Sequence, residues 1–489
     1  MTTKTLSQLG LTAARDVAIT GVALDSRVVE AGFLFAAFAG AHVHGASFIQ
    51  YALRQGAAAV LTDPEGAEIA KEELAASDAV LIIADEPRQT FARATSLWFG
   101  AQPETMVAVT GTNGKTSVAT FVRMIWEEMG KPAVNLGTTG VEGHWTAPLA
   151  HTTPDPITLH AALAEATQNG VTYAAMEASS HGLDQHRLDG CHIKVAGFTN
   201  FTQDHLDYHE TFEAYFAAKM GLFERVLVED GTAVINIDDA MGPRVKQLCV
   251  ARDLKVITVG KAEDADLRIL DHRLDATGQT LRIAWQGKAR TLRLNVMGQF
   301  QAENALVAAG MVIAAAGAAD EVFDSLAHLE TVRGRMELAA TRQNGAAVFV
   351  DYAHTPDAVR SAIASLRGHI IGKLVAVIGA GGDRDSTKRP LMGAAAAATA
   401  DVVIVTDDNP RSEDPAAIRA AVMEGCPDAI NVADRAEAIL RAVDMLEEGD
   451  ALLIAGKGHE TGQIIGADVL PFDDVEQASI SVAALDGMM

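Results

Sequence analysis

At 489 residues, 49% of them hydrophobic, the chain is too long for one ordinary core and has material for roughly two to four domains. Its formal charge of −25, from 64 acidic and 39 basic residues, repels polyphosphate and excludes nucleic acid and anionic membrane as expected partners. Cys191, Cys249 and Cys426 lie far apart, which excludes a disulfide framework or a C-x-x-C metal site and fits a reducing cytoplasm.

Met1 to Arg15 lacks a basic segment followed by an apolar one, so export is not expected. Short apolar runs follow at Val17–Leu24, Phe33–Phe38, Ala57–Leu61 and Ala79–Ile83. Gly100-Ala101-Gln102-Pro103 then punctuates the chain, because proline disfavours helix just before it. Next comes apolar, strand-like Met106–Val109, leading directly into Thr110-Gly111-Thr112-Asn113-Gly114-Lys115-Thr116 and a helix-forming stretch, Ser117 to Met129. Glycines let backbone N–H groups close on phosphate oxygens, Lys115 supplies a point charge, and the Thr116 hydroxyl suits magnesium. Val109 stands where the common phosphate loop has its first glycine; the plainer alternative is a glycine turn capping a helix.

Beyond this loop, apolar runs alternate with helical stretches, the pattern of an α/β fold with a mostly parallel sheet. No run approaches a membrane span of about 20 apolar residues; even alanine-rich Gly393–Ala400 is too short. Tyr173–Met176 runs into Glu177, whose carboxylate should emerge beside the loop to share a magnesium ion with Thr116, or else cap the next helix. Val195–Phe198 runs into Thr199-Asn200, with Asp204, His205 and Asp207 beyond; His205 reads equally as a metal ligand or a polar loop residue. Ser179, Gln185 and Arg187, with Thr152 and Thr153, supply donors for carboxylate or phosphate oxygens, although each alone reads as a solvated loop residue. Lys219, in the amphipathic run Glu213–Met220, reads as a lysine snorkelling from a half-buried face.

Thr331-Val332-Arg333-Gly334-Arg335 marks a second boundary, and the alternation restarts from about residue 336. Ala346–Val350 ends in Asp351-Tyr352-Ala353-His354, Leu374–Ile378 in a glycine turn with Asp383 and Asp385, Val402–Val405 in Asp408-Asn409-Pro410-Arg411, and Ala451–Ala455 in Gly456-Lys457-Gly458-His459-Glu460. Open α/β sheets bind ligands at the carboxyl ends of their strands, so both later segments read as ligand-binding. Arg389 and Arg411 can grip a carboxylate while Asp408, Asn409 and Glu460 accept from an ammonium, a combination suited to an amino-acid zwitterion. The Asn-Pro pair alone is also an ordinary turn starter.

Taken together, TGTNGKT, MEASSHGLDQHR, FTQDHLDYH, AAK, YAHTPD, GGDRD with KRP, DNPR and GKGHE resemble the motifs of the Mur ligase family, over essentially the whole chain. The resemblance implies three domains: residues 1–102 for the uridine end of a UDP-sugar substrate, a P-loop-type central ATPase domain at 103–332, and a Rossmann-like C-terminal domain at 333–489 that binds the amino acid. It implies a cytoplasmic, monomeric enzyme of peptidoglycan precursor synthesis. The D-Glu γ-carboxylate of UDP-MurNAc-L-Ala-D-Glu would attack the γ-phosphorus of ATP, and a diamino acid would displace phosphate from the acyl phosphate.

Residue by residue, the resemblance implies ATP contacts at Gly111, Thr112, Asn113, Gly114, Lys115, Thr116, Ser117, Asn304, Arg335 and Asp351. Two magnesium (Mg2+) ions follow, one on Thr116 and Glu177, the other on His205 and on Lys219 carbamylated by carbon dioxide. Ser26, Thr152, Thr153, Ser179, Gln185 and Arg187 would meet the UDP substrate. Arg389, Asp408, Asn409, Pro410, Arg411, Gly456 and Glu460 would meet meso-diaminopimelate, with which the DNPR form is associated. Lysine lacks the distal carboxylate and would leave Arg411 unpaired. The chain departs from the family pattern at Gln301 and Arg333, where asparagine and proline are usual, and at Ala41 and His44 near the uridine motif. Rival readings are an L-lysine-adding ligase, a folylpolyglutamate-synthetase-like ligase, and a non-catalytic nucleotide switch; the last predicts loss of Lys115, Glu177 or Lys219, and all are present.

Overall fold

The computed structural model describes residues 2–40, 43–275 and 277–487, with Leu206 and Asp207 described in backbone only. Three large sheets follow one another along the chain. The first has four parallel strands, Gly21–Ala23, Phe33–Ala37, Ala59–Thr62 and Val80–Ile83, side by side in sequence order. Ala59–Thr62 is buried throughout, as a strand covered on both faces must be.

The second sheet has ten strands and organises the molecule. Its fully buried strand Thr105–Thr110 lies between Tyr173–Glu177 and Ile193–Phe198 and runs parallel to both. All three chains therefore emerge at one edge of the sheet, which places the loop after Thr110 between the ends carrying Glu177 and Thr199. Helices Lys115–Glu128 and Gln299–Ala314 cover one face through Phe121, Trp126, Leu306 and Val307. Helices Pro156–Gln168 and Phe212–Gly221 supply Leu159, Leu163, Phe216 and Met220 to the core on the other face. A purely parallel pattern does not extend to Leu267–Asp275, Gly278–Trp285 and Lys288–Leu294, which form an antiparallel meander. Their alternating burial is that of strands packed on one side only.

The third sheet has six strands in the order Glu337–Thr341, Ala347–Asp351, Ala451–Ala455, Leu374–Ile378, Val402–Val405 and Ile430–Asn431. All neighbours are parallel except the first pair. A separate hairpin, Gly462–Ile465 with Asp468–Pro471, follows the strand that ends at Ala455. All three cysteines are free and buried. Among the described residues, no helix is long and apolar enough to cross a membrane.

The first sheet's last helix, Pro87–Phe99, docks on the central unit through polar contacts at one turn. Gln89 Nε2 donates to Asp189 Oδ1 at 2.8 Å, and Ser96 Oγ to the Gly190 carbonyl at 2.8 Å. Beside this joint His160 is 1% exposed, with neither ring nitrogen hydrogen-bonded among the described residues. Burial pushes its pKa from 6.5 down to about 4. Because the folded-state value is depressed, the contribution of His160 is full above pH 6.5 and is lost as pH falls through the folded value. Between those limits the unfolding free energy should fall by up to about 3 kcal/mol on account of this ring. His160→Leu should flatten the pH dependence of urea unfolding over that window; superimposable profiles would show that the ring carries no such cost.

Candidate active site

Gly114, at φ 86°, precedes helix Lys115–Glu128, which starts two residues earlier than the sequence suggests and so brings Lys115 and Thr116, with Ser117, into its first turn. A Cβ at Gly114 would lie 2.4 Å from Asn304 Oδ1, so glycine there admits Asn304 against the loop. Asn304 Nδ2 donates to Gln301 Oε1 at 2.9 Å, which accounts for Gln301: it holds the Asn304 amide. Asn113 N donates to Asn200 Oδ1 at 2.9 Å, and Thr199 Oγ1 to the Asn113 carbonyl at 2.6 Å, clamping the loop to the neighbouring strand end. Lys115 Nζ donates to the carbonyls of Gly111 and Thr112, each at 2.9 Å. Burial lowers the Lys115 pKa, against the opposing pull of Glu177 and Asp204.

Glu177 does not cap the next helix. Its Oε2 accepts from Thr116 Oγ1 at 3.0 Å and its Oε1 from Thr138 N at 2.8 Å. Ser179 takes the capping role, accepting from Gly182 N at 3.1 Å. Arg335, which precedes the third sheet, reaches back to donate from Nη2 to Thr116 Oγ1 at 3.0 Å and lies 4.5 Å over the Tyr352 ring. Asp351 accepts from Met336 N at 2.7 Å and Ala353 N at 2.9 Å, and burial lifts its carboxyl to about 6.

The snorkelling reading of Lys219 is overturned. The residue is 1% exposed, and Nζ donates to the Gly111 carbonyl at 2.7 Å, on the same oxygen that Lys115 approaches. The periodicity of residues 213–220 gives a helix but not its partners, and helix Phe212–Gly221 lies deep against the phosphate loop. Burial, and next the charge of Lys115, pulls the Lys219 pKa well below its ordinary value. His205 sits at φ 53° with Nε2 3.4 Å from Asp204 Oδ2, and desolvation lowers its pKa against the opposing charge of Asp204, which favours a neutral ring with a lone pair. His354 Nε2 approaches the same Asp204 oxygen at 4.0 Å. The Asp207 side chain lies outside the described residues.

Thr116 and Glu177 are hard oxygen donors 3.0 Å apart and fit magnesium. Lys219 as an amine offers no oxygen, so it fits a magnesium site only as a carbamate. Among the described residues, no cluster of three His, Cys, Asp or Glu side chains is arranged for a metal. An ion here would therefore take most of its ligands from phosphate and water.

A cavity of about 510 Å³ joins Lys115, Lys219, Asn304 and Arg335 to Thr152, Thr153, Ser179 and Arg187. Thr153 is spent on backbone: its hydroxyl donates to the Glu177 carbonyl at 2.8 Å and accepts from Ser179 N at 3.0 Å. Gln185 Oε1 accepts from Arg187 Nη2 at 2.8 Å, so it orients the guanidinium rather than lining the cavity. Ser26 lies apart, buried in the short turn of helix Ser26–Val28, where Asp25 ties up Arg27. His44 caps the turn Gly45–Phe48 by accepting from Ala46 N at 3.0 Å, the service an aspartate would give; Ala41 lies outside the described residues.

The DNPR and GKGHE residues form a second cluster, beside the cavity across Tyr352, whose ring lies 5.1 Å from that of His459. Gly456 has φ 118°, and a Cβ there would come within 2.5 Å of Asp408 Oδ2. Glu460 Oε2 accepts from Asn409 Nδ2 at 2.8 Å. Arg411, at φ 53°, donates from Nη1 to the Gly382 carbonyl at 2.8 Å, and the Pro410 carbonyl accepts from Glu413 N at 3.1 Å. Both terminal nitrogens of Arg389 are taken by Glu413, Nη1 at 2.9 Å and Nη2 at 2.8 Å, while its buried Nε has no hydrogen-bond partner among the described residues, so a ligand carboxylate would have to share this guanidinium. Arg333, the departure beside the second boundary, pairs with Asp473 at 2.9 Å. Glu413, Thr138 and Lys457 are the participants that sequence reasoning missed. Of these only Lys457 left a signal, a charged residue between two glycines at a strand end.

A phosphate loop at a sheet edge, facing an arginine from a third α/β unit, defines a nucleotide-dependent ligase architecture, and the chain belongs to the Mur ligase family. Residues 109–312 match the Mur ligase middle domain, 334–458 the Mur ligase glutamate ligase domain, and 18–97 the Mur ligase family catalytic domain. The UDP-N-acetylmuramoyl-L-alanyl-D-glutamate--2,6-diaminopimelate ligase of Bradyrhizobium diazoefficiens is 48% identical over 95% of each chain. The ligase of that name from Agrobacterium fabrum is 45% identical over 99% of this chain and 97% of its own. A solved structure of a ligase of the same name is 32% identical, with a TM-score of 0.71 over 99% of both chains. The Thermotoga maritima MurF ligase in complex with ADP, 19% identical with a TM-score of 0.62 over 95% of this chain and 97% of that one, shares the fold.

Proposed function

We propose that this chain joins meso-diaminopimelate to the D-Glu γ-carboxylate of UDP-MurNAc-L-Ala-D-Glu at the expense of ATP, in cytoplasmic peptidoglycan precursor synthesis. The observation that carries the reading is the convergence on Thr116: Glu177 from the central sheet and Arg335 from the C-terminal unit both meet its hydroxyl at 3.0 Å. Relatives similar over nearly the whole chain, and bearing that ligase name, support it further.

In this reading residues 1–102, 103–332 and 333–489 are the UDP-substrate, ATP and amino-acid domains of a monomer. Lys115 and Arg335 neutralise the phosphoryl group in transfer, which matters more than any protein nucleophile because two anions must meet. Magnesium held by Thr116 and Glu177, and by His205 with carbamylated Lys219, would supply the remaining positive charge. The γ-carboxylate oxygen bonds to the γ-phosphorus as ADP leaves. The diamino acid's amine nitrogen then bonds to the acyl carbon, phosphate departs, and the nitrogen gives up a proton. Arg187, oriented by Gln185, and Thr152 would hold the substrate end that presents the carboxylate. Ser26 would meet the uridine.

A folylpolyglutamate-type activity would need a pterin in place of the UDP-sugar, and the DNPR turn argues against it. The test is phosphate release with ATP, magnesium and UDP-MurNAc-L-Ala-D-Glu, comparing meso-diaminopimelate, L-lysine and no amine. Turnover with diaminopimelate alone is expected. Turnover with lysine would overturn the amino-acid assignment, and silence in all three would overturn the acceptor.

A further inference from the structure

We infer that Lys457 is a positioning residue for the amino-acid substrate: it sets the Asn409 amide and the Glu460 carboxylate, and ties the Asp408–Arg411 turn to the hairpin beyond it. The inference rests on the diamino-acid ligase reading above. Lys457 is 0% exposed, an unusual place for a lysine unless its donors are matched. They are matched: Nζ lies 3.2 Å from Asn409 Oδ1, 3.0 Å from Glu460 Oε2 and 2.5 Å from the Gly462 carbonyl, three acceptors for an ammonium's three N–H bonds.

This arrangement dictates the state of both neighbours. Asn409 Oδ1 receives Lys457 and also Ile464 N at 2.9 Å, so the amide's nitrogen must turn the other way, where it donates to Glu460 Oε2 at 2.8 Å. Glu460 Oε2 therefore has two donors, whereas its Oε1 has no hydrogen-bond partner among the described residues, on a side chain 31% exposed. One carboxylate oxygen is fixed by the protein and the other is left for a ligand's ammonium.

The hairpin is tied to the same turn at several points. Gln463 Nε2 donates to the Asp408 carbonyl at 2.7 Å, Arg411 N to the Ile464 carbonyl at 3.0 Å, and Gly466 N to the Arg411 carbonyl at 2.7 Å. By holding the Gly462 carbonyl, Lys457 anchors the first residue of this hairpin, and so the wall against which Arg411 adopts its left-handed conformation.

The test compares the unaltered protein with Lys457→Met and Lys457→Gln, using meso-diaminopimelate and, in parallel, hydroxylamine as the amine. Hydroxylamine nitrogen bonds to the acyl carbon of the activated γ-carboxyl group, the carbon–oxygen bond to phosphate breaks, and a proton passes to solvent; so small an amine needs no amino-acid pocket. In both variants KM for diaminopimelate should rise about tenfold to a hundredfold, the weight of lost charge-assisted hydrogen bonds. KM for ATP and hydroxylamine-dependent phosphate release should stay within about twofold, as expected of a residue acting on one substrate. Unchanged diaminopimelate KM in both variants overturns the role of Lys457, and so does equal loss of both amine reactions in both variants. An unaltered protein that releases phosphate with hydroxylamine but with no diamino acid overturns the substrate reading instead, and the role of Lys457 with it.

Discussion

Lys219→Ala is expected to lower ligation by about a thousandfold or more, with ATP affinity changed only a few-fold, the pattern of a group whose charge is needed only at the reaction. The reasoning starts from placement. A lysine 1% exposed, 2.7 Å from the Gly111 carbonyl and 4.5 Å from the Tyr215 ring, has no direct ion pair among the described residues, and the pull of Asp204 on its charge is outweighed by burial and by Lys115. Its neighbour Lys115 shares that carbonyl, so two positive charges would stand side by side. A neutral amine resolves this conflict and is the form that adds carbon dioxide. The carbamate of the proposed mechanism would be an anion facing Lys115, a favourable pairing where the unmodified side chain would be repelled. Alanine removes the amine on which the proposed carbamate would form. Added short carboxylates should then restore part of the rate, since they can enter the space and return the missing oxygens. Labelled bicarbonate should give a carbamate carbon resonance in the unaltered protein and none in the variant. Undiminished turnover after the substitution would remove Lys219 from the reaction altogether.

Lys219 also shows where the sequence stops being informative. Apolar periodicity identifies helix Phe212–Gly221, yet periodicity describes one helix and says nothing of what stands opposite it. Here the opposing surface is a loop some hundred positions away, and the Lys219–Gly111 contact spans 108 residues. The phosphate loop was legible because its elements are contiguous: strand, glycine turn and helix occupy Thr105–Glu128 without interruption. The same holds for strands Leu374–Ile378, Val402–Val405 and Ala451–Ala455, whose limits match their apolar runs because each is buried along most or all of its length. Long-range pairings were not legible. Nothing in the chain indicates that Glu413 fills the Arg389 fork, that Gln185 serves Arg187, or that Thr138 N meets Glu177. The antiparallel meander at 267–294 was hidden for another reason: a half-exposed strand mixes polar with apolar residues and lacks the continuous runs of a covered one.

Arg411→Ala is expected to raise KM for meso-diaminopimelate about a hundredfold while leaving KM for ATP within about twofold, the signature of a lost charge-assisted contact to one substrate. Of the two arginines in this cluster, Arg411 is the one with a terminal nitrogen to spare, since Arg389 keeps only its buried Nε unpaired among the described residues. Arg389 has both terminal nitrogens engaged by Glu413, whereas among the described residues Arg411 uses only Nη1, at 2.8 Å to the Gly382 carbonyl and 3.5 Å to that of Asn409. Its left-handed backbone, φ 53°, is held by hydrogen bonds through both its N–H and its carbonyl, so the guanidinium is presented from a fixed base rather than a mobile loop. A planar fork with free donors matches a carboxylate, and diaminopimelate offers one at its distal end that lysine lacks. In the proposed reading lysine would gain nothing from Arg411 and would leave its remaining donors desolvated and unpaired, a cost that would reject it. The substitution should accordingly erode discrimination from one side only: the efficiency with diaminopimelate falls, that with L-lysine stays level or rises, and the two approach each other. Lys457→Met differs in a diagnostic way: if Asn409 and Glu460 hold the ammonium that both amino acids carry, as proposed, that variant should weaken diaminopimelate and L-lysine together. Unchanged diaminopimelate kinetics in Arg411→Ala would place the distal carboxylate elsewhere, with Arg389 and a displaced Glu413 as the remaining site.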